Sequence, residues 1–413
     1  MPRGSEHSEV EVAIVGGGIA GAALATALAR NDVSVLVLEA TDAFVDRVRG
    51  ESMMPWGVRE AQQLGVADPL MDAGAHIAET WARYAAGDTV ARQIPVGMMV
   101  PGVGGTLNLH HPVACQALLT AATAAGARVI RGVRDVCVDG GHRPSMRFDV
   151  DGVAHTILTT LVVGADGRGS EVRRSAGITL QRQPAHGYVA GLLLRDVADG
   201  ESDATDIIAE HDHGMFLLMH QGGGQARAYH VVDTEERGRY HGPDGPRRFL
   251  DDAASIDAPF AERLVSATVA GPCAAVAGTD TWTERPFAPG VVLVGDAAGH
   301  NDPTAGCGLS IAMRDARIVA DLIVAGARQV DDFEAYGAER SDRMARLRLV
   351  ADLINVASVE AAPNRSRRRR MFAAAMEAMD PQIFPVMLGM FAGPETVPDA
   401  LVDDAVLERI RAA

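Results

Sequence analysis

The segment from Val10 to Glu39 constrains the fold more than any other part of the chain. Val10 to Val15 is a short apolar run that ends at Gly16-Gly17-Gly18-Ile19-Ala20-Gly21. The spacing then predicts a helix through Ala22 to Arg30, an Asn31-Asp32 turn, and a second β-branched run, Val33 to Leu38, closed by Glu39. Strand, glycine turn, helix, strand and acid in that order form a βαβ unit, which commits the chain to an α/β fold with a parallel sheet. Gly16 permits the tight turn, Gly18 lets backbone amides approach a pyrophosphate, and Gly21 lets the helix press on the sheet. The helix N-terminus adds partial positive charge for phosphates. Glu39 can accept hydrogen bonds from a ribose 2′-hydroxyl and would repel a 2′-phosphate, which favours FAD or NAD over NADP in this site.

Two further glycine loops follow apolar strands. Thr160 to Val163 ends in Gly164-Ala165-Asp166-Gly167-Arg168-Gly169-Ser170-Glu171. The Asp-Gly pair is either a plain turn or the entry to a helix. Asp166 and Ser170 are spaced to cap one starting near Glu171, with Arg168, Arg173 and Arg174 suited to phosphate contact. Val291 to Val294 predicts a buried parallel strand ending in Gly295-Asp296-Ala297-Ala298-Gly299-His300, and Asn301 to Ser310 runs into a helix over Ile311 to Ala325. Open α/β sheets place ligands at such strand ends. Asp296 can bond a polyol hydroxyl, and the amides of Gly308 and Leu309 can face developing negative charge at a helix N-terminus.

Between these loops, Arg47 to Ser52 can close over a nucleotide or form surface ion pairs. His111 to Ala125 reads as a helix, and Arg128 to Val138 with Ser145 to Leu158 as a meander. Residues 176 to 285 differ in texture. Strand-like runs at Gly187 to Arg195, Met215 to His220 and Ala226 to Val232, with helices over Pro246 to Asp252 and Ala258 to Ala267, suggest an inserted antiparallel sheet. Residues 331 to 413 read as helical, and their Met-rich stripe (Met371, Met376, Met379, Met387, Met390) as packing.

Composition removes whole classes of chemistry. The 38 basic residues are all arginine, against 54 acidic ones, for a net charge of −16. Without lysine there is no Schiff base and no P-loop cation. An acidic chain is a poor polyanion binder, so no nucleic-acid partner is expected, and the run Arg367 to Arg370 reads as a solvated helix face. The four cysteines have neither a disulfide framework nor zinc-ligand spacing, so no metal is expected. The first ten residues are polar and no window holds the apolar length of a membrane span; a cytoplasmic chain without a leader is expected.

In this order, GGGIAG, GADGRGSEVRR and GDAAGHNDPTAGCGL resemble the loops of single-component flavoprotein monooxygenases of the p-hydroxybenzoate hydroxylase type, over residues 10 to 350. The resemblance implies a Rossmann-like FAD-binding domain from residues 10–75, 105–175 and 286–330. An antiparallel-sheet substrate domain would comprise 76–104 and 176–285, followed by a helical region over 331–413. It implies noncovalent FAD, with Gly16, Gly18, Ala20, Gly21, Glu39 and Ala40 around the pyrophosphate and adenosine ribose. Arg49 and His111 would stand near the flavin, Asp166 and Gly167 would serve the pyrophosphate and incoming NAD(P)H, and Gly295 and Asp296 the ribitol chain. Pro303 and Gly306 would lie by the ring, Gly308 and Leu309 would donate amides towards N1 and O2, and Val136 completes the set. Two positions depart from the pattern: His111 replaces Arg or Gln, and Gly299 replaces a common His.

The implied reaction is insertion of one atom of O2 into an aromatic or other electron-rich, apolar small molecule through a C4a-hydroperoxyflavin. Hydroxylation and epoxidation are both compatible; the sequence leaves the oligomeric state open, a homodimer included. The alternative is a dehydrogenase or reductase without oxygen insertion, because Arg-Gly-Glu-Ser at 49–52 is also similar to prenyl reductases and halogenases. The halogenase option fails on its required lysine. A flavin-binding regulator without turnover is a third reading. For a substrate base, strand alternation puts Phe216, Leu218 and His220 on one face; His220 is a candidate only if that face looks towards the flavin, and is otherwise structural.

Overall fold

Strand Glu9–Val15, helix Ile19–Arg30 and strand Val35–Leu38 form the expected βαβ unit, with the two strands paired in parallel. The computed structural model describes residues 9–85, 90–197, 203–256, 261, 263–264 and 267–412. The main sheet runs in the order Phe287–Ala288, Val291–Leu293, Val153–Gly164, Glu9–Val15, Val35–Leu38, Arg128–Ile130. Strands Arg134–Asp139 and Ser145–Val150 branch from Val153–Gly164. Val15 pairs with Gly164, and Gly164 with Leu293, so the carboxyl ends of three parallel strands lie side by side. That register gathers the three glycine loops at one edge. Helices Ile19–Arg30, His111–Ala124 and Gly308–Val324 pack together, burying Leu24, Leu28, Leu118 and Val319 completely. Each such side chain contributes about 1.5–3 kcal/mol of transfer free energy.

A seven-stranded sheet runs Thr268–Gly278, Gly187–Arg195, Ala226–Asp233, Gly214–His220, Thr205–His211, Thr80–Tyr84, Arg92–Ile94. All its pairings are antiparallel except Thr205–His211 with Thr80–Tyr84. Thr205–His211 and Thr268–Gly278 carry no strong strand signal. The first is broken by the buried acids Asp206 and Glu210, and the second is mostly Ala, Gly and Val with a Pro and a Cys; neighbours impose the strand conformation. One face packs Phe216 and Leu218 against Phe249 and Tyr240. The opposite face carries Val189, Leu217, Met219 and Val231.

Helix Pro246 to Asp252 is observed as Gly245–Ala254, while most of the helix expected over 258–267 lies outside the described residues. The C-terminal region is helical, and Glu334–Ile354 passes directly into a π-helical turn, Asn355–Val359. Met371, Met376, Met387 and Met390 join its core, whereas Met379 is exposed. The arginine run is not simply a solvated face. Arg367 and Arg370 are exposed, but Arg369 is buried and donates to the carbonyls of His211, Gly214 and Ser358. Among the described residues no helix is long and apolar enough to cross a membrane.

Candidate active site

A cavity of about 470 Å³ opens where the three loops meet and continues under the second face of the seven-stranded sheet. Gly16 (φ +104°) forms the turn; a Cβ there would lie 2.3 Å from the Ala165 carbonyl oxygen. A Cβ on Gly21 would lie 2.0 Å from the Gly16 oxygen, so Gly21 serves helix–sheet contact and does not line the cavity. In front of Gly18, Gly167 and Gly308, by contrast, there is nothing within 4 Å of a built Cβ. Helices Ile19–Arg30 and Gly308–Val324 both begin here without side-chain caps. Open glycines at uncapped helix N-termini suit the phosphates of a dinucleotide, so the residues present fit FAD.

The expected contacts Gly16, Gly18, Ala20, Glu39, Ala40, Arg49, His111, Val136, Asp166 and Gly167 all line the cavity, as do Gly295, Asp296, Pro303, Gly306, Gly308 and Leu309. Glu39 is buried. One carboxylate oxygen accepts from the Gly17 amide at 2.8 Å, the other from the Thr41 amide and hydroxyl. Asp166 caps helix Glu171–Ser175, accepting from the Glu171 amide at 2.7 Å, the Val172 amide and the Ser170 hydroxyl. Burial pushes its carboxyl up, and these hydrogen bonds oppose the shift. Arg168 reaches across to Asp296, Nε to Oδ2 3.3 Å. Burial and then the nearby Arg168 pull the Arg49 guanidinium below its ordinary value. His111 and His300, also lining the cavity, are held neutral by burial, each pulled down to about 4.

Besides Gly21, three expectations need correction. Arg173 does not face the cavity: its guanidinium donates to the Ala297 carbonyl at 2.8 Å and the Arg168 carbonyl at 3.0 Å. Arg174 pairs with Glu171 at the surface. His220 is on the same face as Phe216 and Leu218, but that face turns away from the cavity, which is lined by Leu217 and Met219. The His220 backbone is pinned instead, its amide to Asp206 and its carbonyl to Asn108.

The backbone at 299 leaves no room for a side chain. Gly299 has φ +115°, and a Cβ there would sit 2.4 Å from the Thr281 oxygen. The next residue, His300, lines the cavity, and its Nδ1 lies 2.8 Å from the Thr281 hydroxyl.

Two buried networks hold the site and were not anticipated. Asp315, fully buried, accepts from the Gly295 amide at 2.8 Å, Arg340 Nε at 3.0 Å and Arg343 at 2.7 Å. Arg340 also donates to the carbonyls of Ala298 and Gly299. A lone carboxylate in an otherwise apolar helix face was the available signal. Second, Arg227 binds both oxygens of buried Glu51 (2.8 and 3.0 Å) and Asp46 (2.8 Å). The ion pairs of this segment, through Asp46 and Glu51, are thus turned inward and not at the surface, while residues 47–52 line the cavity. Beyond the charged loops, the cavity is walled by apolar side chains, including Met54, Trp81, Val189, Met219, Val276 and Met390.

Comparison with known proteins agrees with this geometry. A family model described as FAD binding domain matches residues 9–349. Ubiquinone hydroxylase UbiL of Rhodospirillum rubrum is 27% identical, covering 92% of this chain and 88% of that protein. Squalene monooxygenase of Rattus norvegicus is 25% identical over 85% of this chain, which spans only 61% of the rat protein. The p-nitrophenol 4-monooxygenase PnpA from Pseudomonas putida DLL-E4 shares the fold, with a TM-score of 0.76 at 18% identity, covering 98% of this chain and 99% of that one. The chain belongs to the FAD binding domain family, as an FAD-dependent enzyme of the flavoprotein monooxygenase type that its three ordered glycine loops resemble.

Proposed function

We propose that this enzyme consumes NAD(P)H and transfers one atom of O2 to an apolar, electron-rich small molecule held under the seven-stranded sheet. The supporting observation is a single cavity with two unlike halves: arginines, acids and helix N-termini at one end, aliphatic and Met side chains at the other. Bound FAD supplies the redox chemistry, for which the chain's own side chains are unsuited. In this reading the Gly18 turn and the N-terminus of helix Ile19–Arg30 hold the pyrophosphate, Glu39 the ribose, and Asp296 the ribitol. The amides of Gly308 and Leu309 stabilise negative charge on the ring, while neutral His111 and His300 add no competing charge.

The apolar wall excludes water and orients the substrate. It presents one titratable group, Tyr229, whose phenol is held protonated by burial and the Glu51 charge, so it is no base at neutral pH. A substrate that reacts without enzymatic deprotonation suits such a wall. Relatives named for ubiquinone hydroxylation and squalene monooxygenation accord with such a molecule. The nucleotide unit would be residues 10–75, 105–175 and 286–330, with 76–104 and 176–285 forming the substrate unit.

The test is to purify the protein, record its flavin spectrum, and follow NADH and NADPH oxidation with quinols, alkoxyarenes and alkenes under ¹⁸O2. Labelled product supports the proposal. Product without label assigns a dehydrogenase or reductase, and failure to bind FAD removes the reading altogether.

A further inference from the structure

The segment that carries Arg47 and Arg49 follows the Rossmann strand Val35–Leu38 in sequence; its far end, Glu51, is held by the amides of His111 and Leu109, and the rest is held from the substrate sheet. Arg227, Tyr229 and Val231 are alternate residues on one face of strand Ala226–Asp233. Arg227, with no exposure, grips Asp46 and Glu51. The Tyr229 hydroxyl donates to the Arg49 carbonyl at 2.9 Å. Opposite Tyr229, across the strand pair, stands Gly191, and a Cβ there would come within 2.4 Å of Val48 Cγ1 and 3.2 Å of the Tyr229 ring. Val48 sits in that notch with φ +52°, a conformation costly for a β-branched residue and stable only where its surroundings over-determine it.

Tyr229 is thus in two places at once. Its residue lines the apolar half of the cavity beside Leu217 and Val231, while its hydroxyl holds the backbone of a residue lining the nucleotide half. Burial and then the Glu51 charge keep that hydroxyl protonated, so it remains a donor throughout the physiological range. A molecule pressing on the ring would move the hydroxyl and take the tether from the Arg49 backbone.

We propose that Tyr229 is a positioning residue that couples occupation of the apolar half of the cavity to the position of Arg49 beside the flavin site. The inference rests on the FAD reading above. Tyr229→Phe keeps the ring and removes the tether, imitating the displaced state. The first readout needs no cofactor. Because the chain lacks lysine, trypsin cuts only after arginine, and cleavage after Arg47 and Arg49 in the nucleotide-free protein reports release of the segment. The second is the rate at which NADH or NADPH reduces FAD-saturated enzyme anaerobically, without substrate.

The expected result is about 5-fold or greater acceleration of both, the lower end of ordinary coupling energies, with the thermal midpoint lowered by no more than about 2–4 °C, the scale of one lost hydrogen bond. Gly191→Ala, which displaces Val48 and the ring together, should move both rates the same way. Cleavage within twofold of wild type overturns the tether. Faster cleavage with reduction unchanged or slower overturns the coupling. Wild-type protein that binds no FAD, or whose FAD neither nicotinamide reduces, defeats the functional reading instead and is seen before any variant is made.

Discussion

Asp315→Asn tests how the Asp296 loop is held. The substitution keeps the volume and one acceptor but removes the charge facing Arg340 and Arg343, whose side chains are each only 2% exposed. Stranding buried guanidinium groups costs about 3–5 kcal/mol. Arg343 retains Glu339, at 2.9 Å, so the loss falls mainly on Arg340 and the lower end, about 3 kcal/mol, is expected. Arg340 also orders the carbonyls of Ala298 and Gly299 beside Asp296, so FAD affinity should fall about 10-fold, the equivalent of 1.4 kcal/mol.

Urea denaturation and flavin fluorescence titration measure the two effects separately. Burial raises the Asp315 carboxyl, but the two arginines outweigh it and hold it below the usual carboxylate range. A depressed value means that the contribution is fully present above the unfolded value of about 3.9 and is lost as pH falls through the folded one. The gap between wild type and variant should therefore be flat from neutral pH to about 5 and close only in stronger acid. A double variant, Asp315→Leu with Arg340→Met, should recover more than half the stability and none of the FAD affinity. A loss for Asp315→Asn below about 1 kcal/mol, the worth of an exposed pair, would refute the reasoning.

Gly18→Ala should leave the urea midpoint unchanged, since nothing lies within 4 Å of the new methyl, yet weaken FAD binding at least about 10-fold by filling the phosphate approach; equal affinity in a titration contradicts that placement. Arg173→Ala should act oppositely, lowering stability by about 1–3 kcal/mol as two carbonyls lose their donor, with little effect on nicotinamide affinity at saturating FAD. His186 lies between Asp352 and Glu360, whose hydrogen bonds raise its imidazole to about 10 against opposing desolvation. Its stabilisation is complete below about 6.5 and fades as pH rises towards 10. The thermal midpoint should fall across that interval and fall less in His186→Gln; parallel profiles would show that the clamp is idle.

The glycine loops were legible because each rests on a backbone requirement that only certain residues meet, and the requirement is local. Gly16, Gly18 and Gly21 declare strand, turn and helix within a dozen positions. Side-chain direction was less legible. Alternation correctly grouped Phe216, Leu218 and His220, but only the packing of Phe249 and Tyr240 on that face decides which side is the cavity. Arg168 lies in the turn and Arg173 in the short helix that follows it, and one points into the cavity while the other points into the protein towards the Ala297 carbonyl. The clamps were least legible. Asp315 and Arg340 are 25 residues apart, and Glu51 and Arg227 are 176 apart, so no local pattern announces either.

The apolar half of the cavity offers a practical handle on substrate range. Val276, Val189, Val231 and Leu217 come from four neighbouring strands, each projecting from a backbone whose hydrogen bonds are spent on the ladder. Exchanging those side chains reshapes the pocket without disturbing the ladder, the glycine loops or the buried ion pairs. Such a face can be diversified as a combinatorial library, and natural descendants of this chain can acquire new substrates by the same few changes while inheriting the nucleotide machinery intact.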